Sequence, residues 1–449
     1  MVLAGSALAG LPASQITWEV KFEQGEKLMN SISKAVISKV SSTGDDNVVV
    51  KRDTGANLLP STEPVLTEDM LARFAGRAAS YDRENRFFEE DFEELRAAKY
   101  LLLPVPSEFG GAGMTLAEVC RQQRRLAYYA PATALAVNMH LYWLGVAADL
   151  RRRGDASLEW ILREAAAGEI FAAGHAESGN DVPVLLSTSK AERVEGGYQF
   201  TGRKHFGSLT PVWTRFGLHG MDTSDPSRPK IVHAFMPRNT VGYAIKETWD
   251  VLGMRATRSD DTVVQNAFVP DRYIARIVPA GGAGVDSFVL AVFAWALLGF
   301  GNIYYGLAKR ALDQSVAAAK SKGSLALSRS MAYHPEVQHA IAEMVIDLES
   351  IGPHLESVAE DWSNGVDHGA RWPSKIFAAK YRAVEGSWRV VDLGLDVTGG
   401  NGIFRAAGYE RLVRDARLGR VHPANSFLTH EVVAKTALGI NLDEQPRWG

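Results

Sequence analysis

The stretch that most constrains this chain runs from Ser287 to Ala308, which contains no charged residue. A segment of that length and apolarity either spans a bilayer or fills the middle of a large helical core. Asn302, Tyr304, Tyr305 and several glycines interrupt it, and no second segment of the kind accompanies it. The expectation is a buried bundle helix, with no membrane partner.

Helical patterning continues on its C-terminal side. Pro335 opens a helix with Val337, Ile341, Met344, Leu348 and Ile351 on one face. In the next, Phe377, Tyr381, Val384, Trp388, Val391 and Leu395 recur at four- and three-residue spacing, a stripe for packing along a neighbour. That helix ends at Thr398-Gly-Gly-Asn-Gly402. Glycines there admit positive φ and close approach of a polar ligand, although glycine also ends helices for structural reasons alone. A last helix is expected over Phe427 to Leu438. Residues 281–440 therefore read as a helical bundle and 441–449 as a tail.

Residues 62–169 also carry a helical period, through Leu71, Phe74, Phe87, Phe88, Phe92, Leu95 and Tyr100. The acidic run Glu89 to Glu94 reads as a solvated face, and Thr115-Leu-Ala-Glu118 as a capping box. Arg151-Arg-Arg153 sits at an expected helix end, where cations offset the helix dipole. Between 170 and 280 the character changes to short β-type runs: Ile170–Gly174, Ala191–Val194, Tyr198–Thr201, Lys230–Met236, Tyr243–Lys246 and Thr262–Val269. Glu195-Gly-Gly197 supplies a hairpin turn, and the set suggests an antiparallel barrel or sandwich. The expected class is α+β: a helical domain, a middle β domain, then a four-helix bundle.

The remaining bounds are broad. A chain of 449 residues buries a large core in two or three domains. Its formal net charge of −3, without a Lys/Arg run suited to phosphates, argues against nucleic acid. One cysteine, Cys120, excludes an intrachain disulfide and a thiolate metal cluster, in keeping with a reducing cytoplasm. Residues 1–61 are expected to be an extension: Val2 to Pro12 lacks a basic region, Ser41 to Ser61 resembles a linker, and Met29 is a candidate start.

Spread in order along residues 65–440, a set of motifs resembles the acyl-CoA dehydrogenase superfamily. They are Pro104-Val-Pro-Ser-Glu-Phe-Gly-Gly-Ala-Gly113, Glu177-Ser-Gly-Asn-Asp181, Gly202-Arg-Lys-His-Phe-Gly-Ser208, Leu252-Gly-Met-Arg-Ala-Thr-Arg-Ser259, Leu307-Ala-Lys-Arg-Ala-Leu-Asp313, the Thr398–Gly402 turn and Arg414-Asp-Ala-Arg417. The resemblance implies a flavoprotein, usually a homotetramer, with FAD between the β domain and the bundle. It implies that Ala176 and Glu177 lie along the flavin edge and that Phe206 covers one ring face. Ser208 would place a hydroxyl donor near N5. Lys322 and Gly399, Gly400 and Gly402 would meet the pyrophosphate or adenosine of a neighbouring subunit's FAD, and Asn180 and Arg255 would touch substrate.

Removing an α proton while hydride leaves for the flavin needs a carboxylate. An ungapped match puts Pro423 at the family's usual Glu, and Ala296 at the position other members use on the first bundle helix. Ala294 and Leu297 replace its substrate-holding Asp and Arg. A shifted register brings in Asp286, for which a helix N-terminal charge is the plain alternative. The losses resemble the flavin-dependent monooxygenase branch, such as dibenzothiophene monooxygenase, which uses reduced FMN and O2. There His422 stands where an acid or base is often found. The intact Gly-Gly-Asn-Gly turn favours FAD and keeps dehydrogenation of an acyl-CoA thioester as the first expectation, with electron-transfer flavoprotein as partner. A monooxygenase supplied by a flavin reductase is the second, and a catalytically silent partner subunit the third.

Overall fold

The computed structural model describes residues 65–281, 286–442 and 444. The expectations for residues 1–61, Met29 and the linker among them, lie outside these, as does most of the tail.

Among the described residues, five helices come first: α1 (Glu68–Glu84), α2 (Glu89–Ala97), α3 (Leu116–Tyr129), α4 (Pro131–Arg152) and α5 (Glu159–Ala166). Their ends follow local chemistry. Thr67 accepts the Met70 N–H to start α1, and Thr115 and Glu118 form the reciprocal capping box of α3. Proline opens α4, where its missing N–H costs nothing. The acidic run on α2 is not wholly solvated. Asp91 is fully buried, held by Arg77 Nε at 2.7 Å and the hydroxyls of Tyr81 and Thr133, while the other carboxylates of the run face outward or pair with arginines.

Eight strands follow: β1 (Phe171–Gly174), β2 (Lys190–Val194), β3 (Gly197–Gly207), β4 (Arg215–Asp222), β5 (Lys230–Pro237), β6 (Tyr243–Lys246), β7 (Asp260–Pro270) and β8 (Ile274–Pro279). They form one mixed sheet in the order β6-β7-β3-β2-β4-β5-β8, with β1 pairing to β4. An all-antiparallel domain was expected, but β4 runs parallel to both β1 and β2. β4 has no counterpart in the sequence reading because its glycines mask its strand character. They are needed for packing: a Cβ at Gly217 would sit 2.9 Å from both the Ala172 carbonyl and the Trp143 indole nitrogen.

The C-terminal helices are α6 (Ser287–Ser321), α7 (Pro335–Ser363), α8 (Trp372–Thr398), α9 (Tyr409–Arg417) and α10 (Ser426–Leu438). α6 is long and apolar enough to cross a membrane, yet most of it is buried against α3, α4, α7 and α8. Gly145 of α4 lets the two helices touch, since a Cβ there would lie 2.2 Å from the Trp295 ring. A buried carboxylate then fixes three helices together: Asp149 Oδ2 accepts from Trp295 Nε1 at 2.6 Å and from Trp362 Nε1 at 2.7 Å. The architecture is helices, sheet and helices, in that order.

Candidate functional site

Where the sheet meets the N-terminal third of α6, a cleft of about 300 Å³ opens. Its bundle wall is Val292, Phe293, Ala296, Leu297 and Phe300, one face of α6 read at helical spacing. Leu135, Met139 and Tyr142 of α4 extend that wall. No Arg or Lys lines the cleft among the described residues.

The opposite wall is built by a break in β3. Between Lys204 and Gly207 the pairing of β3 to β7 slips, and Phe206 takes a left-handed conformation with φ of 61°. Such a bulge re-aims side chains. Lys204 turns into the interior, whereas Phe206 projects over the cleft, 61% exposed, edge-on to Trp249 at 6.1 Å. Ser208 follows at the cleft surface and begins a hydroxyl chain: Ser208 Oγ to Ser259 Oγ is 2.8 Å, Ser259 Oγ to Thr257 Oγ1 is 2.7 Å, and Thr257 Oγ1 donates to the Met254 carbonyl at 2.8 Å.

Glu177 lines the same wall, but its carboxylate is turned inward. Six donors surround it: Asn180 Nδ2, Ser187 Oγ, the Thr188 N–H, the N–H and hydroxyl of Ser189, and Lys204 Nζ at 2.5 Å. Burial alone would raise its pKa; the Lys204 ammonium and the donors outweigh this and hold it down at about 2. Neither side chain of the pair is exposed, so Glu177 fixes the 177–189 loop and offers the cleft no base. Ala176 lines the cleft too, its carbonyl already accepting the His205 N–H at 2.9 Å. Asn180 is a lining residue whose amide is spent on Glu177, the Leu186 carbonyl and the Val182 N–H. The 178–181 turn is latched at its outer edge, where Ser178 Oγ meets His205 Nε2 and His205 Nδ1 meets Asp261, both at 2.9 Å.

The loop before α10 closes the third side. Lys380 of α8, fully inside, donates to the carbonyls of Gly419, His422 and Ala424 at 3.3, 2.9 and 2.8 Å, holding that loop in place. Burial lowers the pKa of Lys380 to about 7. His422 stacks on Phe300 with ring centroids 4.9 Å apart, and its Nε2 is buried without a hydrogen-bond partner. Burial, and then Lys380, push its pKa down to about 3, so the imidazole is neutral and too weak a base for general-base work near pH 7. The sequence had placed it as an acid or base. What the structure gives it is an unsatisfied ring nitrogen in the wall.

Two other expected residues lie elsewhere. Asp286 caps α6, accepting the Phe288 N–H at 2.8 Å, and pairs with Arg276; it does not line the cleft. Arg255 faces away from it, donating to the carbonyls of Asp82 and Val251. Lys322 does meet the glycine turn, since its ammonium donates to the Thr398 carbonyl and lies 3.5 Å from where a Cβ on Gly399 would be. Gly402 packs so closely on Thr398 that a side chain there would clash, while Gly400 is open. This group stands far from the cleft: at 1.5 Å per residue, Lys322 is about 37 Å along α6 from Leu297. Sequence reasoning missed Trp249, Thr257, Ser259 and His175, which all line the cleft; the Nε nitrogens of Trp249 and His175 are buried without partners.

A flat heteroaromatic group fits such a site: an exposed aromatic ring on one wall, an apolar floor opposite, and hydroxyl and ring-nitrogen groups between them. Family models for the acyl-CoA dehydrogenase N-terminal and C-terminal domains match residues 67–156 and 284–423. Among curated relatives, a putative acyl-CoA dehydrogenase, YdbM of Bacillus subtilis, is 25% identical over 81% of this chain and 93% of its own. L-evernosamine nitrososynthase from a Micromonospora is 27% identical over 88% and 94%, and dibenzothiophene monooxygenase of Rhodococcus qingshengii 26% over 84% and 94%. A crystal structure of KijD3 with FMN and a dTDP-linked amino-keto sugar superposes with a TM-score of 0.74 at 25% identity, covering 84% of this chain and 93% of that one. With these matches at both ends of the chain and a flavin-compatible cleft between them, the chain belongs to the acyl-CoA dehydrogenase superfamily and is a flavin-dependent oxidoreductase.

Proposed function

We propose that the chain is a flavin-dependent monooxygenase that accepts reduced flavin from a separate reductase and oxygenates a small uncharged substrate. A bound reduced flavin would supply the electrons and the site of O2 activation. The observation that carries this reading is the lack of a base on the bundle wall of the cleft. Dehydrogenation requires a group that removes a C–H proton at neutral pH. The α6 wall is apolar throughout and Pro423 follows His422. His422 titrates at about 3, and Glu177 is saturated by its six donors. The other lining carboxylate, Asp181, belongs to the exposed 178–181 turn. Oxygenation asks for no such base. It asks for an apolar cleft that excludes water and for neutral hydrogen-bonding groups that orient the substrate, which Phe300, Leu297 and His422 supply.

Among the relatives, dibenzothiophene monooxygenase supports an aromatic heterocycle as the substrate type. FMN is the flavin favoured here. Lys322, the cation expected to meet a neighbouring subunit's FAD pyrophosphate, is already tied to its own Thr398 carbonyl. Acyl-CoA dehydrogenation, the first expectation from sequence, keeps one supporting feature, the Gly399–Gly402 turn. That turn could reach a flavin only if a second copy of the chain brought it to this cleft.

The test supplies the protein with FMN, a flavin reductase and NADH under isotopically labelled O2, against a panel of uncharged aromatic heterocycles. Label in a hydroxylated or S-oxidised product is the expected result. No labelled product from any member, with reduction of the bound flavin by an acyl-CoA, would overturn it.

A further inference from the structure

The geometry points to Thr257 and Ser259 as positioning residues that set the hydrogen-bond polarity of Ser208 and make the cleft selective for reduced over oxidised flavin. The inference rests on the flavin site described above and concerns binding alone.

A hydroxyl has one proton to give and lone pairs with which to accept. The Met254 carbonyl can only accept, so the 2.8 Å contact from Thr257 Oγ1 uses the Thr257 proton. The 2.7 Å contact between Thr257 and Ser259 must then use the proton of Ser259. The 2.8 Å contact between Ser259 and Ser208 must in turn use the proton of Ser208. Every hydroxyl proton in the chain therefore points inward, and Ser208 presents lone pairs to the cleft it lines. The donor expected from the sequence is an acceptor.

The chain is held rigidly enough for this polarity to persist. Thr257 is fully buried, Ser259 is 3% exposed and Ser208 is 7% exposed. The backbone N–H groups of Leu209 and Thr210 donate to the carbonyls of Thr257 and Arg258, tying the end of β3 to this segment. At the other end, the Met254 N–H donates to Asp415 Oδ1 on α9, 2.5 Å away, which anchors the residue whose carbonyl starts the chain.

Oxidised flavin has an acceptor at N5; two-electron reduction places an N–H there. Were N5 of a bound flavin to come to Ser208, as the resemblance implies, the acceptor hydroxyl would meet the oxidised form lone pair against lone pair and the reduced form with a complementary contact. The wild-type cleft should bind reduced FMN about tenfold or more tightly than oxidised FMN. By linkage a tenfold ratio raises the bound flavin's two-electron midpoint potential by about 30 mV over free FMN. A two-component enzyme gains directly from that bias, since it captures the form its reductase releases.

The experiment measures dissociation constants of oxidised and anaerobically reduced FMN, and the bound midpoint potential, for wild type, Ser259→Ala and Thr257→Val. Ser259→Ala removes the inward acceptor and frees the Ser208 proton for the cleft. Thr257→Val breaks the chain one link further back and allows every proton to reverse. Both variants should bring the affinity ratio close to one and lower the potential by about 30 mV. Ser208→Ala should also lose the preference, with no acceptor left. A wild-type ratio at or below one, or a ratio retained in both Ser259→Ala and Thr257→Val, would overturn the assignment. Turnover does not enter these measurements. A protein that dehydrogenates acyl-CoA yet prefers reduced flavin would refute only the proposed reaction; one that oxygenates with no preference would refute only this relay.

Discussion

The two walls of the cleft are made from the same chain by opposite means. On the sheet side the charged and hydroxyl groups are committed inward: Glu177 to six donors, Lys204 to Glu177 and the His219 carbonyl, and three hydroxyls to a directed chain. On the bundle side α6 contributes only carbon, and His422 beside it keeps an unpaired nitrogen. The first wall is rigid because its alternatives would leave buried charges unpaired. The second offers no ionisable group from α6. Set against each other, they show a cleft with a polar, hydrogen-bonded wall on one side and an apolar one on the other.

The sharpest way to break the sheet-side wall is Lys204→Met, which strands a buried carboxylate. A loss of about 3–5 kcal/mol in urea unfolding is expected. The pH dependence gives a second check on the same pair. Glu177 is held at about 2 in the folded protein against roughly 4.3 in an unfolded chain. Its contribution is thus fully present above the unfolded value and is lost as pH falls through 4 towards 2. Glu177→Gln should flatten that part of the acid-unfolding profile.

Lys380→Met attacks the third side. Removing a donor shared by three carbonyls should cost about 2–3 kcal/mol and loosen the loop that carries His422, read as faster hydrogen exchange at residues 418–425. On the bundle side, Ala296→Glu places a charge on the apolar face. It should weaken binding of an uncharged aromatic probe about tenfold or more, since the carboxylate must be desolvated or left in water inside the cleft. The smallest effect is expected for Lys322→Ala: FMN affinity within about twofold of wild type, because a group some 37 Å along the helix from the cleft has no contact to lose. A large loss there would instead favour FAD reaching between two copies.

Much of the fold was legible because its signals are periodic. The uncharged α6, the stripe on α8 and the capping box of α3 each follow from spacing or local hydrogen bonding, and the structure carries all three. β4 was not legible, since Gly217 and Gly220 are there for close packing and read as turn residues. At the site, motif position found Phe206, Ser208 and His422 but could not give their orientation or protonation. Arg255 and Ser259 lie four residues apart in one motif, yet one faces the Asp82 carbonyl and the other the cleft. Asp286 was correctly suspected of capping a helix; its exclusion from the cleft depends on the register of α6, which the sequence left open.

The most direct test of the central claim, that the bundle wall carries no base for dehydrogenation, is an anaerobic one. Flavin-loaded protein is mixed with acyl-CoA thioesters from short to long chain, and the visible absorbance of oxidised flavin is followed. The account predicts that the absorbance persists with every thioester. Bleaching by any one of them on the timescale of turnover would contradict it.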